Sequence, residues 1–244
     1  MQVEIWSDVV CPWCYIGKRR VERALELFEH RDDVEVVWRS FQLDPTAQSA
    51  HERADGPSDR HARALAAKFG GTVEQAQAVV EQVEQVAAGE GLEFHQDVSV
   101  PATTVDAHQV RHLARERGVQ GAVKERLLRA HFTEGEPVGD RDTLVRLAAE
   151  AGLDAAEVRD ALDRDASRDA VAADIAEAVA LGARGVPLVV VDRRYGVAGA
   201  PPAERFLEVF EMAWRERPAL TVVGAPAGEA GVAGEACGPD GCAL

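Results

Sequence analysis

The alternation of apolar and polar positions changes rhythm twice along this chain. Val3 to Val10 is largely apolar, interrupted by Glu4, Ser7 and Asp8, and predicts a strand. From Tyr15 to His30 the apolar residues Ile16, Val21, Ala24, Leu25, Leu27 and Phe28 fall at helical spacing, and Asp32-Asp33 breaks the run. Val34 to Trp38 resumes as a strand toward Phe41 and Leu43, and Pro45 ends it. A β-α-β unit of this length accommodates a right-handed parallel crossover.

Between about Thr46 and Ala183 no strand pattern is found. A polar loop, His51 to Asp59, precedes a run of helix formers. Thr72-Val73-Glu74-Gln75 has the form of a capping box and heads a helix ending near Gly89. Thr103 or Thr104 caps another that ends near Gly118. Asp140 starts a helix that stops at Gly152, Asp154 starts the next, and Ala166 to Leu181 is closed by Gly182. The strand rhythm then returns at Val186 to Asp192. A polar turn, Asp192-Arg193-Arg194, leads into Tyr195 to Gly199, which predicts a hairpin. Pro201-Pro202 opens a helix with Phe206, Leu207, Phe210 and Trp214 on one face, and Pro218 ends it. Three parts follow: residues 1–45 and 184–220 as one discontinuous α/β domain, 46–183 as an inserted helical domain, and 221–244 as a mobile Gly/Ala/Pro-rich tail.

Composition narrows the function classes. The chain has 244 residues with a hydrophobic fraction of 46%, enough for a core that needs no disulfide staples. Its formal charge of −15 argues against a nucleic-acid partner or an anionic membrane surface. No apolar run approaches a membrane span. Met1 to Ile5 enters structure directly, without a basic and then apolar leader, so the expected location is cytoplasmic. In that reducing compartment, paired cysteines point to catalysis or redox sensing rather than to structural bridges.

The four cysteines fall in two close pairs, Cys11/Cys14 and Cys237/Cys242. Cys11-Pro12-Trp13-Cys14 stands at a strand-to-helix junction, the arrangement of a dithiol/disulfide site. Cys11 is placed at the helix N-cap, where unpaired N–H groups and the helix dipole stabilise an anion. Pro12 suits the first helical position because it lacks an N–H. The thiolate is the nucleophile of disulfide exchange, and Cys14, one turn in, is placed to close the ring. Other readings of the motif are a zinc half-site, a passive bridge, or a four-thiolate zinc site joined with the second pair. Cys237 and Cys242 read either as an auxiliary dithiol exchanging electrons with Cys11 and Cys14, or as a local tail disulfide or two inert thiols. His108 and His112 stand one helical turn apart, a metal-binding face without a third ligand, so no metal is assigned. Arg19-Arg20 reads as a solvated helix face, or as positive charge near Cys11 that assists the thiolate. Trp6, Trp38 and Trp214 read as core or near-core rings.

Strand, Cys-Pro-Trp-Cys helix, strand, helical insert, Val-Pro, hairpin and final helix together resemble the thioredoxin fold as elaborated in the DsbA family. Ser7-Asp8-Val9-Val10-Cys11-Pro12-Trp13-Cys14-Tyr15-Ile16-Gly17 is similar to the opening of the FrnE-like dithiol-disulfide isomerases, and Thr103 to His108 and Gly185-Val186-Pro187 fall where that group has recognisable segments. Gly199-Ala200-Pro201-Pro202 departs from the group's more usual Gly-Ala-Gln. The resemblance implies an α/β thioredoxin fold with a large inserted helical domain. It also implies a cis Val186-Pro187 bond packed against the dithiol and substrate pairing with the Val186 backbone. His108 by itself reads either as a solvated histidine or as one lining the groove facing the dithiol, where it would tune a cysteine pKa. The implied activity is thiol-disulfide exchange with protein or small-molecule thiols and disulfides, with no cofactor beyond the redox-active pair and with glutathione as a candidate thiol partner. The same architecture also resembles 2-hydroxychromene-2-carboxylate isomerases and kappa-class glutathione transferases, which have a serine at the position of Cys11. A redox-sensing chaperone without turnover is the non-catalytic alternative.

Overall fold

In a computed structural model of the chain, residues 1–49 and 60–217 are described. The tail with Cys237 and Cys242, and the polar loop His51 to Asp59, lie outside them. Four strands form one sheet in the order β2-β1-β3-β4. The first three are β1 (Gln2–Ser7), β2 (Glu35–Ser40) and β3 (Leu188–Val191), and β4 is Tyr195–Ala198. β1 pairs parallel with β2, Ile5 opposite Trp38, and antiparallel with β3, Ile5 opposite Val189. β3 and β4 form the expected hairpin.

The first helix, α1 (Pro12–Leu27), crosses between the parallel strands. It starts and ends about one turn earlier than the apolar spacing predicts. β1 stops at Ser7 because the Asp8 carboxylate turns back to accept from the Val9 N–H at 2.7 Å, and the proline at the first helical position starts α1 immediately afterwards. Seven helices follow before β3: α2 (Arg60–Phe69), α3 (Val73–Gly89), α4 (Val105–Glu116), α5 (Gln120–Arg129), α6 (Arg141–Glu150), α7 (Ala155–Asp163) and α8 (Arg168–Ala180), counted among the described residues. The last, α9 (Ala203–Arg215), follows the hairpin. The Thr72/Gln75 capping box heads α3 as predicted, and Asp140 and Asp154 cap α6 and α7 through their side chains. Thr104 stands at the N-cap of α4 without a side-chain bond, so it caps by position only. Among the described residues, no helix is long and apolar enough to cross a membrane.

The strand alternation sorts side chains onto two faces. Val3, Ile5, Trp38, Val189 and Val191 pack against Val21, Ala24 and Phe28 of α1 and Phe206 and Phe210 of α9. On the other face, Trp6, Leu188 and Val190 meet Ala178 of α8. Trp6 and Trp38 are buried, and Trp214 is half-buried at the edge of the α1/α9 core. A separate core joins α4, α5, α6 and α7 around Val110, Leu127, Leu144 and Val158, and Val9 reaches into it from the loop before α1.

β2 is a sheet edge whose outer backbone groups are satisfied by side chains rather than by another strand. The Gln120 amide accepts from the Trp38 N–H at 3.0 Å and donates to the Trp38 carbonyl at 3.1 Å. Asp174 of α8 accepts from the Ser40 N–H at 2.8 Å, and its own carbonyl accepts from the Trp6 indole N–H at 2.8 Å. Helices thus cover an edge that would otherwise be open to pairing with other chains.

Candidate active site

Cys11 is the N-cap of α1, with extended backbone (φ −94°, ψ 114°) and no bond from its side chain to the helix end. Its sulfur is therefore not spent on capping, and the amide-rich helix end remains available to stabilise negative charge. The Cys14 N–H donates to the Cys11 carbonyl at 3.0 Å, closing the first turn. Both thiols are free and both are recessed, Cys11 at 3% exposure and Cys14 at 1%, whereas Trp13 between them stands at 39%. The indole is therefore the exposed part of the motif, beside two recessed sulfurs.

The Val186–Pro187 peptide is cis, and the Val186 carbonyl accepts from the Cys11 thiol at 3.5 Å. This loop can come so close because α1 presents Gly17 to it. A Cβ on Gly17 would stand 3.1 Å from Pro187 Cγ and 3.3 Å from Ala200 Cβ. The Pro187 carbonyl in turn accepts from the Gly199 N–H at 2.8 Å, which ties the departure of β4 to the same loop.

Charged side chains lie beneath the dithiol. Asp8 is buried, its carboxylate accepting from the N–H groups of Val9 at 2.7 Å and Leu43 at 2.8 Å, with His108 Nε2 at 3.4 Å. Burial alone would raise its pKa, but the His108 contact, the Leu43 N–H and Lys124 together hold it below the usual carboxylate value. Lys124 of α5 is fully buried and donates to the Asp8 carbonyl at 3.4 Å. Burial, reinforced by Arg111, brings its pKa down to about 8, against opposing pulls from Cys14, Asp8 and Cys11. Burial pushes the Cys14 thiol well above its ordinary range. Contact with Cys11 adds to the rise, while Lys124 and the Asp8 backbone amide oppose it.

The structure corrects the placement of His108. It is fully buried rather than lining a groove, because its Nε2–H donates to the Phe41 carbonyl at 2.9 Å and faces Asp8. Both Nε2 partners are acceptors, which fixes the tautomer and leaves Nδ1 without a partner. Desolvation lowers its pKa, outweighing the pull of Asp8, so the ring is neutral. His112 turns elsewhere, to Asp174 at 3.0 Å and Ser40 Oγ at 3.1 Å. Among the described residues, no group of three or more His, Cys, Asp or Glu is placed to hold a metal. Arg19 and Arg20 are not a solvated face either. Arg19 pairs with Glu22 and Glu125, and Arg20 with Glu90 at 2.6 Å.

Sequence reasoning passed over Asp8 and Lys124 as site residues, and did not name α5. A signal was present: positions 120, 123, 124, 127 and 128 form a helical stripe, and all five are buried. Gln120 and Lys124 are the two polar members of an otherwise apolar face, the kind of position that calls for a specific partner.

Two free thiols one helical turn apart at a helix start, one of them against a loop carbonyl, with buried charges nearby, form an arrangement able to carry sulfur–sulfur exchange. Comparison with known proteins agrees. The DSBA-like thioredoxin domain family matches residues 2–211. A probable DsbA oxidoreductase from Streptomyces coelicolor is 47% identical, covering 100% of this chain and 99% of its own, with a TM-score of 0.81. The cytosolic disulfide reductase DsbM from Pseudomonas aeruginosa, in a structure with GSH, shares the fold at 20% identity and a TM-score of 0.62, over 88% of this chain and 100% of its own. An uncharacterized Bacillus subtilis protein is 28% identical over 170 residues, 69% of this chain and 75% of that protein.

Proposed function

Because the chain belongs to the DSBA-like thioredoxin domain family, we propose that it is a thiol-disulfide oxidoreductase exchanging disulfides with protein substrates through Cys11 and Cys14. One observation carries the reading: a free cysteine caps α1 with its sulfur facing the Val186 carbonyl, and a second free cysteine is buried one turn behind it.

Cys11 attacks a substrate disulfide as the thiolate, forming a mixed disulfide and releasing the other substrate thiol. Cys14 then attacks Cys11, the Cys11–substrate bond breaks, and the substrate leaves reduced by two electrons. The reverse sequence oxidises a substrate dithiol, and attack followed by release without resolution isomerises. An extended substrate segment pairs with the backbone at Val186, with Trp13 at the rim. The Ser7-to-Gly17 motif supports placing the chain with the FrnE-like isomerases. Glutathione, named with the Pseudomonas aeruginosa structure, is the small thiol proposed to recycle the pair. The presence of both Cys11 and Cys14 favours dithiol exchange over glutathione transfer or chromene isomerisation.

Insulin-disulfide reduction tests the assignment. Cys11→Ser abolishes turnover, and Cys14→Ser accumulates mixed disulfides visible by mass spectrometry. Full activity in Cys11→Ser would reject it.

A further inference from the structure

Arg20 of α1 holds two acceptors at once, and the exchange reaction as described gives it no task. Its Nε donates to the Glu90 carboxylate at 2.6 Å, and its Nη1 donates to the Ala200 carbonyl. Glu90 is the C-cap of α3, and Ala200 lies in the loop between β4 and α9. The arginine therefore joins the helical insert to the hairpin side of the sheet across the dithiol helix. Both members of the ion pair are more than four-fifths buried, Arg20 at 16% and Glu90 at 18% exposure. A pair so enclosed costs desolvation, which an apolar side chain at position 20 would avoid. The guanidinium suits the position because its donors form a rigid fork that reaches two acceptors in different directions. Charge on the Cys11 sulfur does not account for it. Arg20 stands nine residues beyond Cys11, about 13 Å along the helix axis, and Glu90 offsets its charge.

What Ala200 touches does account for it. A Cβ on Gly17 would stand 3.3 Å from Ala200 Cβ and 3.1 Å from Pro187 Cγ, so both residues rest on the same bare stretch of α1. The Gly199 N–H, one residue before Ala200, donates to the Pro187 carbonyl at 2.8 Å, and the Val186 carbonyl accepts from the Cys11 thiol at 3.5 Å. A continuous path of contacts thus runs from Glu90 through Arg20, Ala200, Gly199 and Pro187 to Val186. Ala200 also packs against the apolar cluster that contains Ile16 and Leu92.

We propose that Arg20 is a positioning residue for protein substrates. By holding the Ala200 carbonyl it fixes the Pro187 loop, and with it the Val186 backbone, at the spacing from Cys11 that an extended peptide segment needs for pairing. The inference rests on the dithiol-exchange reading and adds a discrimination between disulfides. A disulfide carried in a polypeptide uses the Val186 backbone as well as the sulfur. A small aromatic disulfide uses the sulfur alone. Arg20 acts on the first and not on the second.

Two substrates of the reduced full-length protein separate these effects: insulin, and 5,5′-dithiobis(2-nitrobenzoate), which offers no peptide backbone. In Arg20→Met the KM for insulin is expected to rise about fivefold, the loss of one ordinary hydrogen bond to substrate, with kcat kept. The first release of thionitrobenzoate, when Cys11 attacks, should keep its wild-type rate. Arg20→Lys should recover part of the KM, since its flexible ammonium holds the two acceptors less firmly. An insulin KM unchanged in Arg20→Met would overturn the inference. So would equal slowing toward both disulfides, the mark of a merely structural role. Should Arg20→Met not fold, Glu90→Gln decides, because it keeps an acceptor for Nε without the charge. A smaller rise in insulin KM with unchanged thionitrobenzoate release is then expected, and no rise would overturn the inference. Wild-type protein that reacts with neither disulfide would reject the exchange reading, and the inference with it.

Discussion

Adding one methyl group at Gly17 tests whether the close approach of α1 and the Pro187 loop sets the geometry of the site. In an ordinary helix position, glycine to alanine stabilises by about 0.5–1 kcal/mol, because the unfolded chain loses freedom and the helix gains propensity. At Gly17 the new Cβ would meet Pro187 Cγ at 3.1 Å and Ala200 Cβ at 3.3 Å, so the loop must give way by a few tenths of an ångström. Overpacking of this kind costs about 1–3 kcal/mol. Gly121, at the start of α5, supplies the control, since a Cβ there meets nothing within 4 Å. Gly121→Ala should therefore stabilise slightly, and Gly17→Ala should fall about 1–3 kcal/mol below it. Moving Pro187 also moves the Val186 carbonyl away from Cys11, so insulin reduction should drop in Gly17→Ala and not in Gly121→Ala. Urea unfolding midpoints and initial reduction rates, measured side by side, give both readouts. Gly17→Ala matching Gly121→Ala in stability and rate would refute the reasoning.

The edge of β2 supplies further tests. Gln120→Ala strips partners from both backbone groups of Trp38, and loss of about 2–4 kcal/mol is expected in urea unfolding; a loss under about 0.5 kcal/mol would mean that water replaces the amide. Asp174 is held at a pKa of about 2: burial works against this, but His112, the Ser40 N–H and Arg111 outweigh it. A carboxylate depressed in the folded state contributes stability above its unfolded value near 3.9, and that contribution is lost as pH falls from about 4 toward 2. The shift corresponds to about 2.5 kcal/mol, reduced to about 1–2 kcal/mol by residual solvent screening. Asp174→Asn should therefore be destabilised at pH 7, with the gap to wild type narrowing by about that amount at pH 2.5; a gap constant with pH would contradict the linkage.

Local rules made much of this protein readable in advance. The strand-to-helix junction at Cys11, the proline at the first turn of α1, the capping box of α3 and the β3–β4 hairpin all follow from interactions within a few residues. The dithiol motif and the Val-Pro segment were legible for the same reason, since each is a contiguous string. What the chain could not announce locally was which distant groups would meet. α5 lacks a strong capping signal, with Val119 at its N-cap making no side-chain bond, and so it was not named. His108 was readable only as solvated or groove-lining because its place on α4 says nothing of what lies above it, and the Phe41 carbonyl and Asp8, both far off in sequence, bury it.

Sequence by itself determined the chemistry on offer, namely two thiols at spacing for ring closure and a helix end to favour the anion, because those properties depend on neighbours along the backbone. Only the tertiary structure decided the setting of those thiols. It brought a lysine 110 residues beyond Cys14 beneath the dithiol, because desolvation and charge coupling depend on distance through space, which a one-dimensional pattern does not encode.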